Sequence, residues 1–196
     1  MEYRVKICDK LDWSRVEKAP VDKFLWRDEY MPLCYGQMCV VDDVLHIRLT
    51  CHESNPTARC RNFYDEVCED STLEIFFGYE QPGDYINCEM NSIGVSLIGV
   101  GDGRNGRRRI DRYCEIPKVN SVIEDGFWYA ETSFTLEQLK KVFPNASLDP
   151  DTELYGNIFK VGEKCEPPHY GVWSEIVWDT PDFHRPECFG KFIITE

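Results

Sequence analysis

Apolar and polar residues alternate with a period of two along much of the chain, which is typical of β-strands. Turn residues such as Asn55-Pro56 and Gln81-Pro82-Gly83-Asp84 separate the alternating runs at short intervals. The predicted strands are 38–50, 71–77, 85–91, 94–100, 112–119, 128–134, 156–161 and 189–194. Short strands at this spacing predict a mainly β fold, an antiparallel two-sheet β-sandwich.

One short helix interrupts the strand pattern. Thr135 and Gln138 have the spacing of a capping box, and Leu139 and Val142 then share one face. Pro144 ends the segment, because proline cannot continue a helix. A lone helix is expected to close one end of a sandwich, since a βαβ fold needs several crossovers. No repeat or linker divides the chain, so residues 1–196 are predicted to form a single domain.

The strand 85–91 has an apolar face and a polar face. Three apolar side chains face the predicted core: Ile86, Cys88 and Met90. Four hydrogen-bonding side chains share the opposite face: Tyr85, Asn87, Glu89 and Asn91. Neighbours on that face lie about 7 Å apart, so the row is longer than one sugar ring. Such a row suits a polyhydroxylated ligand, and the alternative is an ordinary solvated sheet face.

The preceding strand adds a carboxylate and an aromatic ring to this picture. Glu74 and Phe76 face away from the core side of strand 71–77, so Glu74 is expected to join the polar face. Sugar sites combine directional hydrogen bonds with a flat apolar plate. Trp173 is the candidate for that plate, although tryptophan is also a common core residue of sandwiches.

Charge and composition exclude several partners and leave the compartment open. The chain has 35 acidic and 22 basic residues and a net charge of −13, which disfavours nucleic acid and anionic membrane surfaces. No signal peptide and no apolar run of about 20 residues is visible, so no membrane span is predicted and a cytoplasmic location is slightly favoured. The ten cysteines form no Cys-x-x-Cys pair, and we expect most to be free thiols.

Two cysteine–histidine pairs suggest a metal site as an alternative. Their residue types suit tetrahedral zinc: Cys165, His169, His184 and Cys188. Prolines inside both pairs rule out helical spacing, so the competing interpretation is a set of hydrogen-bonded structural histidines. A metal or haem module therefore remains one alternative function.

The segment 99–109 is rich in glycine and arginine, yet it lacks the Gly-Lys-Ser/Thr ending of a phosphate-binding loop and no helix follows it. We expect a flexible hairpin here. Its arginines, Arg109 among them, are candidates to reach over the polar face, because a guanidinium fork matches pairs of oxygen atoms. The alternative is solvated charge.

Together these residues resemble the family 9 carbohydrate-binding modules, specifically the compact standalone family 9-like proteins. The resemblance covers most of the chain and rests on five features: the segment 70–77, the alternation 85–91 followed by Gly94, the pair Gly156-Asn157, His169 with Trp173, and the segment 181–190. It implies a β-sandwich that binds a mono- or oligosaccharide without catalysis, in carbohydrate catabolism. Some relatives also hold structural calcium.

Carried over by position, the resemblance assigns the acidic ligand contact to Glu74. It places Asn87 and Asn91 on the strand that contacts the ligand, and it matches Asn157 to an asparagine that comes late in the sequence of the family. The sugar-binding members have a tryptophan a few residues before the matching glutamate, where this chain has Val67 and Cys68.

A carbohydrate-active hydrolase that uses Glu74 and Glu89 as a carboxylate pair is the catalytic alternative. A general acid needs a raised pKa, and a solvated strand face is not expected to provide one, so non-catalytic binding is favoured. The sequence leaves the particular sugar and the oligomeric state open.

Overall fold

The computed structural model describes residues 1–196 and contains fourteen strands and one α-helix. The strands are β1 (Glu2–Ile7), β2 (Ala19–Val21), β3 (Lys23–Phe24), β4 (Cys34–Val41), β5 (Val44–Cys51), β6 (Thr72–Gly78), β7 (Tyr85–Asn91), β8 (Ser96–Gly101), β9 (Arg108–Arg109), β10 (Asn120–Glu124), β11 (Phe127–Thr135), β12 (Glu153–Gly162), β13 (His169–Val172) and β14 (Gly190–Thr195). The helix α1 is Leu136–Val142. No helix of the structure is long and apolar enough to span a membrane.

Eleven of the strands form one continuous hydrogen-bonded path in the order β10-β11-β5-β4-β1-β14-β12-β6-β7-β8-β9, while β2 pairs with β4, and β13 pairs with β12 and β3. Most neighbours are antiparallel, but β1 runs parallel to both β4 and β14. The predicted mainly β fold with one short helix is confirmed, whereas the prediction of a purely antiparallel arrangement is wrong. The cause is the N-terminal strand, which inserts between β4 and β14 and pairs in the same direction as each. Division of the path into two packed sheets stays a prediction.

Two predicted strands differ from the structure. The segment 38–50 belongs to a hairpin, because Asp42 and Asp43 turn the chain between β4 and β5 with φ angles of 49° and 57°. The segment 112–119 forms no strand, and β10 begins only at Asn120. The predicted capping box is confirmed: the Thr135 hydroxyl accepts from the Gln138 amide at 3.1 Å, and the Gln138 side chain accepts from the Thr135 amide at 3.0 Å.

Strand β7 is buried on both faces. Ile86, Cys88 and Met90 lie in the main apolar core, as their spacing predicts. The opposite face is covered by a second apolar cluster, which includes Phe76, Phe159 and other residues of β12, β13 and the segment 176–183. The solvated face considered from sequence is therefore wrong for this strand, because the chain after β13 folds back over it.

Candidate functional site

A cavity of about 260 Å³ opens above the central strands β6, β7 and β12. Its walls come from the segment 64–68, the loop containing Arg104 and Arg107, and the segment 181–184. Ligand pockets usually measure about 300 to 1,000 Å³, so this cavity suits a small ligand.

Glu74 and Glu89 form the polar floor of the cavity. They lie directly opposite each other on the antiparallel strands β6 and β7, and Phe159 of β12 flanks Glu74. Glu74 is 2% exposed and Glu89 is 6% exposed. The Glu74 carboxyl group receives no hydrogen bond from the protein, although it lines the cavity. The carboxyl oxygens face the cavity, so a ligand with hydrogen-bond donors would satisfy them.

Asn87 connects Glu89 to Arg107. The Asn87 Nδ2 donates to Oε1 of Glu89 at 2.8 Å, and Arg107 Nε donates to Oδ1 of Asn87 at 2.6 Å. A Cβ atom at Gly99 would stand 2.7 Å from that same Oδ1, so the approach requires glycine. The remaining Arg107 hydrogens go to backbone carbonyls of Tyr85, Gly99, Gly101 and Gly103. Arg107 therefore braces the site with all five of its N–H groups.

Burial raises the pKa of both floor carboxyls. The pKa of Glu74 lies well above its ordinary value, because the group is buried and because Glu89 and Glu163 are nearby. Burial raises the pKa of Glu89 to about 7, against the lowering effect of the Asn87 hydrogen bond and Arg107. Glu74 lacks such partners and retains its proton more readily than Glu89. The expectation that this face is too solvated to raise a carboxyl pKa is wrong.

Aromatic side chains form much of the remaining cavity wall: Tyr64, Phe76, Tyr170 and Phe183. Phe183 is held by stacking on Phe159, with ring centroids 4.2 Å apart. Tyr64 and Tyr170 are only partly buried, so their rings are accessible to a ligand.

Tyr85 supports the cavity from below through a hydrogen bond of 2.7 Å to Nδ1 of His184. Burial, together with Arg107 and Arg104, lowers the pKa of His184 to about 3, so the imidazole is neutral. Burial raises the pKa of Tyr85 to about 12, so both partners of this hydrogen bond are neutral. The cavity wall thus includes a neutral imidazole beside the acidic floor.

Two predicted asparagines bind protein groups outside the cavity. The Asn91 amide donates to Asp70 at 3.0 Å, and its oxygen accepts from the backbone of Ile93 and Val95. The Asn157 amide donates to the Ser174 carbonyl at 2.8 Å, and its oxygen accepts from the Ser174 amide at 2.8 Å. Both side chains hold turns or loops in place.

Two further predicted residues also lie outside the cavity lining. Trp173 is 2% exposed and stacks on Phe192 in the main core, with centroids 5.0 Å apart. Arg109 pairs with Asp111 at 2.6 Å and lies over the Tyr64 ring, 5.0 Å from its centroid. The structure therefore brings Glu74, Asn87 and Glu89 together, with Tyr85 beneath them, and does not bring Asn91, Asn157, Trp173 or Arg109 into the same lining.

The structure does not bring the four candidate zinc ligands together. Antiparallel pairing of β13 with β12 places His169 against Lys160, whose Nζ lies 2.8 Å from the imidazole Nε2. His184 instead contacts Tyr85 in the cavity wall. No group of three or more His, Cys, Asp or Glu side chains is arranged to hold a metal ion.

A covered sheet face with a polar cavity of this size is typical of a small-ligand-binding β protein. The model of carbohydrate-binding family 9 matches residues 6–194, and the chain belongs to that family. No curated protein sequence matches the chain significantly.

Similar solved structures share the fold over nearly their whole length. A candidate carbohydrate-binding protein from Bacteroides uniformis is 22% identical, with a TM-score of 0.82 and coverage of 98% of each chain. A carbohydrate-binding module of family 9 from Caldicellulosiruptor kristjanssonii, in complex with glucose, is 10% identical, with a TM-score of 0.72, and 100% of this chain and 96% of that chain are covered. A carbohydrate-binding module of family 9 from Caldicellulosiruptor kristjanssonii, in complex with cellotriose, is 9% identical, with a TM-score of 0.69, and 100% of this chain and 94% of that chain are covered.

Proposed function

We propose that the cavity binds a mono- or oligosaccharide without chemical change, as part of carbohydrate catabolism. The observation that carries the proposal is the Glu74 carboxyl group, which is buried at the cavity floor without a donor from the protein. Sugar hydroxyls supply the hydrogen-bond donors that this carboxyl group lacks. Family membership and the glucose and cellotriose complexes of similar structures support the same conclusion.

The aromatic plate in this proposal consists of Tyr64 and Tyr170 rather than Trp173. Both tyrosines line the cavity and are partly exposed, whereas Trp173 is packed on Phe192 in the core. A sugar ring lying against either tyrosine buries its apolar C–H face and leaves its hydroxyls directed at Glu74. Contact with one aromatic ring contributes about 0.5 to 1.5 kcal/mol beyond area burial.

Isothermal titration against a panel of mono- and oligosaccharides tests the proposal. We expect binding by the unmodified chain and at least about tenfold weaker binding by Tyr170→Ala, equivalent to about 1.4 kcal/mol. Tyr155→Ala is a matched control, because Tyr155 is partly exposed outside the cavity. Absence of heat with every sugar at millimolar concentration would contradict saccharide binding. Equal losses in both tyrosine variants would contradict the location.

Glycoside hydrolysis is the second candidate function, and the raised pKa of Glu89 favours it. Directly opposite strand residues have Cβ atoms about 5 Å apart, similar to the carboxylate separation of retaining glycosidases. Both carboxyls nevertheless project from one floor, whereas the catalytic pair of a glycosidase flanks the scissile bond. Release of reducing sugar that is abolished by Glu74→Gln and by Glu89→Gln would establish catalysis in place of binding alone.

A further inference from the structure

The cavity is lined by more carboxyl groups than cationic groups. Five carboxyl groups line it, namely those of Glu66, Glu74, Glu89, Glu163 and Asp182, and they face two guanidinium groups, those of Arg104 and Arg107. Asp182 is already paired, at 3.2 Å from Arg104 and 2.9 Å from Arg185. None of Glu66, Glu74 and Glu163 forms a salt bridge. The ionisable groups left without an ion-pair partner at the cavity are therefore carboxyl groups.

Two of the cations near Glu74 are fully engaged by the protein. All five N–H groups of Arg107 are engaged by Asn87 and backbone carbonyls. The ammonium group of the fully buried Lys160 is engaged by Ser71, the Val161 carbonyl and His169. Neither side chain can turn toward Glu74 without leaving these partners unsatisfied. The third cation, Arg104, lines the cavity but is paired with Asp182 at 3.2 Å and forms no salt bridge with Glu74, so the Glu74 carboxyl group remains open to a cationic ligand.

We propose that this cavity prefers a saccharide bearing a primary ammonium group, an amino sugar, and that the ammonium binds the Glu74 carboxylate. The proposal rests on the saccharide-binding function proposed above and names its ligand class. A charged hydrogen bond to a buried carboxylate is about twice as strong as a neutral one. Glu66 and Glu163 at the same cavity add attraction for a cation and repulsion for a uronic acid.

The protonation behaviour of the floor agrees with this preference. The pKa values of Glu74, Glu89 and Glu163 are all raised, chiefly by burial. A carboxyl group in such a site stays neutral by holding a proton until a cation replaces that proton. An ammonium ligand would therefore release a proton from the floor when it binds.

Titration calorimetry at pH 6.5 with four sugars of one ring type tests the preference: glucose, 2-amino-2-deoxyglucose, N-acetylglucosamine and glucuronate. Amines of pKa about 7.7 to 8.0 are protonated at this pH. We expect the amino sugar to bind at least about tenfold tighter than glucose and N-acetylglucosamine, with glucuronate the weakest. Ethanolamine serves as an ammonium without a ring, and we expect it to bind at least about tenfold more weakly than the amino sugar.

Three outcomes overturn parts of the reasoning in distinguishable ways. Binding of glucose equal to or tighter than the amino sugar refutes the ammonium preference and leaves saccharide binding intact. Binding of ethanolamine as tight as the amino sugar refutes recognition of a sugar ring. Absence of binding by every sugar refutes both this inference and the proposed function.

Variants assign the preference to the cavity. Glu74→Gln keeps the shape of the side chain, so we expect amino-sugar affinity to fall to that of glucose. Glu163→Gln is a second variant at the cavity margin, and we expect a partial loss of the preference from it. Glu124→Gln, at an exposed position of β10, should leave the preference unchanged. A preference that survives in Glu74→Gln, with unchanged thermal unfolding, would refute the role of Glu74.

Discussion

Replacing Glu89 with glutamine removes a carboxyl group whose pKa burial raises from 4.5 to about 7. In the unfolded chain this group loses its proton near pH 4.5, whereas in the folded chain it keeps the proton until about pH 7. Its contribution to stability is therefore fully present below pH 4.5 and is lost as the pH rises through 7. Since one pH unit corresponds to 1.36 kcal/mol, the interval amounts to about 3 kcal/mol.

Urea denaturation at pH 4 and pH 8 measures this effect as the difference in unfolding free energy between Glu89→Gln and the unmodified chain. We expect that difference to shift by about 3 kcal/mol in favour of the variant between the two pH values, because glutamine carries no proton to lose. Glu124→Gln is the control, since Glu124 is exposed. A shift below about 0.5 kcal/mol would show that Glu89 titrates in the folded chain as it does in the unfolded one.

Three further substitutions test the supporting structure. Arg107→Lys is expected to cost at least about 2 kcal/mol in urea denaturation, because lysine cannot reproduce five fixed donors, whereas Arg109→Lys should stay within about 0.5 kcal/mol. Trp173→Ala should lower stability by about 3 to 5 kcal/mol in thermal denaturation while sugar affinity of the folded protein persists, and a loss of affinity alone would refute its core role. Lys160→Met should cost about 3 to 5 kcal/mol at pH 7, and adding Glu53→Gln should restore part of that, because Lys160 lies 3.7 Å from the Glu53 carboxylate; no recovery would argue against the pairing.

Local patterns predicted strand β7 and helix α1 well because both depend on neighbours in sequence. The bounds of β7 match the alternation of 85–91, and α1 begins where its capping box predicts. The strand β1 was not predicted, since its alternation of charged and apolar residues also suits an exposed segment. Its parallel pairing with β14 joins the two ends of the chain, for example Val5 with Ile194, and no local pattern encodes such a partner.

The same distinction explains the candidate site. Glu74, Asn87 and Glu89 were predicted from the alternation of side chains between the two faces of a strand. The same alternation at β13 could have shown that Tyr170, rather than Trp173, faces the cavity. Residues separated by an odd number of positions face opposite sides of a strand, so Tyr170 at the cavity and Trp173 in the core are consistent with one alternating segment. The sequence does not indicate which of Arg107 and Arg109 reaches the cavity, because both lie beside a turn whose geometry the sequence does not determine.

Sequence polarity alone does not separate a ligand-binding group from a structural one on a covered strand. Asn91 and Glu74 both lie on the polar side of neighbouring strands and are both almost completely buried. The amide of Asn91 finds Asp70 and two backbone partners inside the protein, so its burial is compensated within the fold. Glu74 finds no donor and faces a cavity, so compensation must come from a proton or a ligand. The hydrogen bonds that a buried group lacks, rather than its polarity, therefore lead us to expect that binding depends on Glu74.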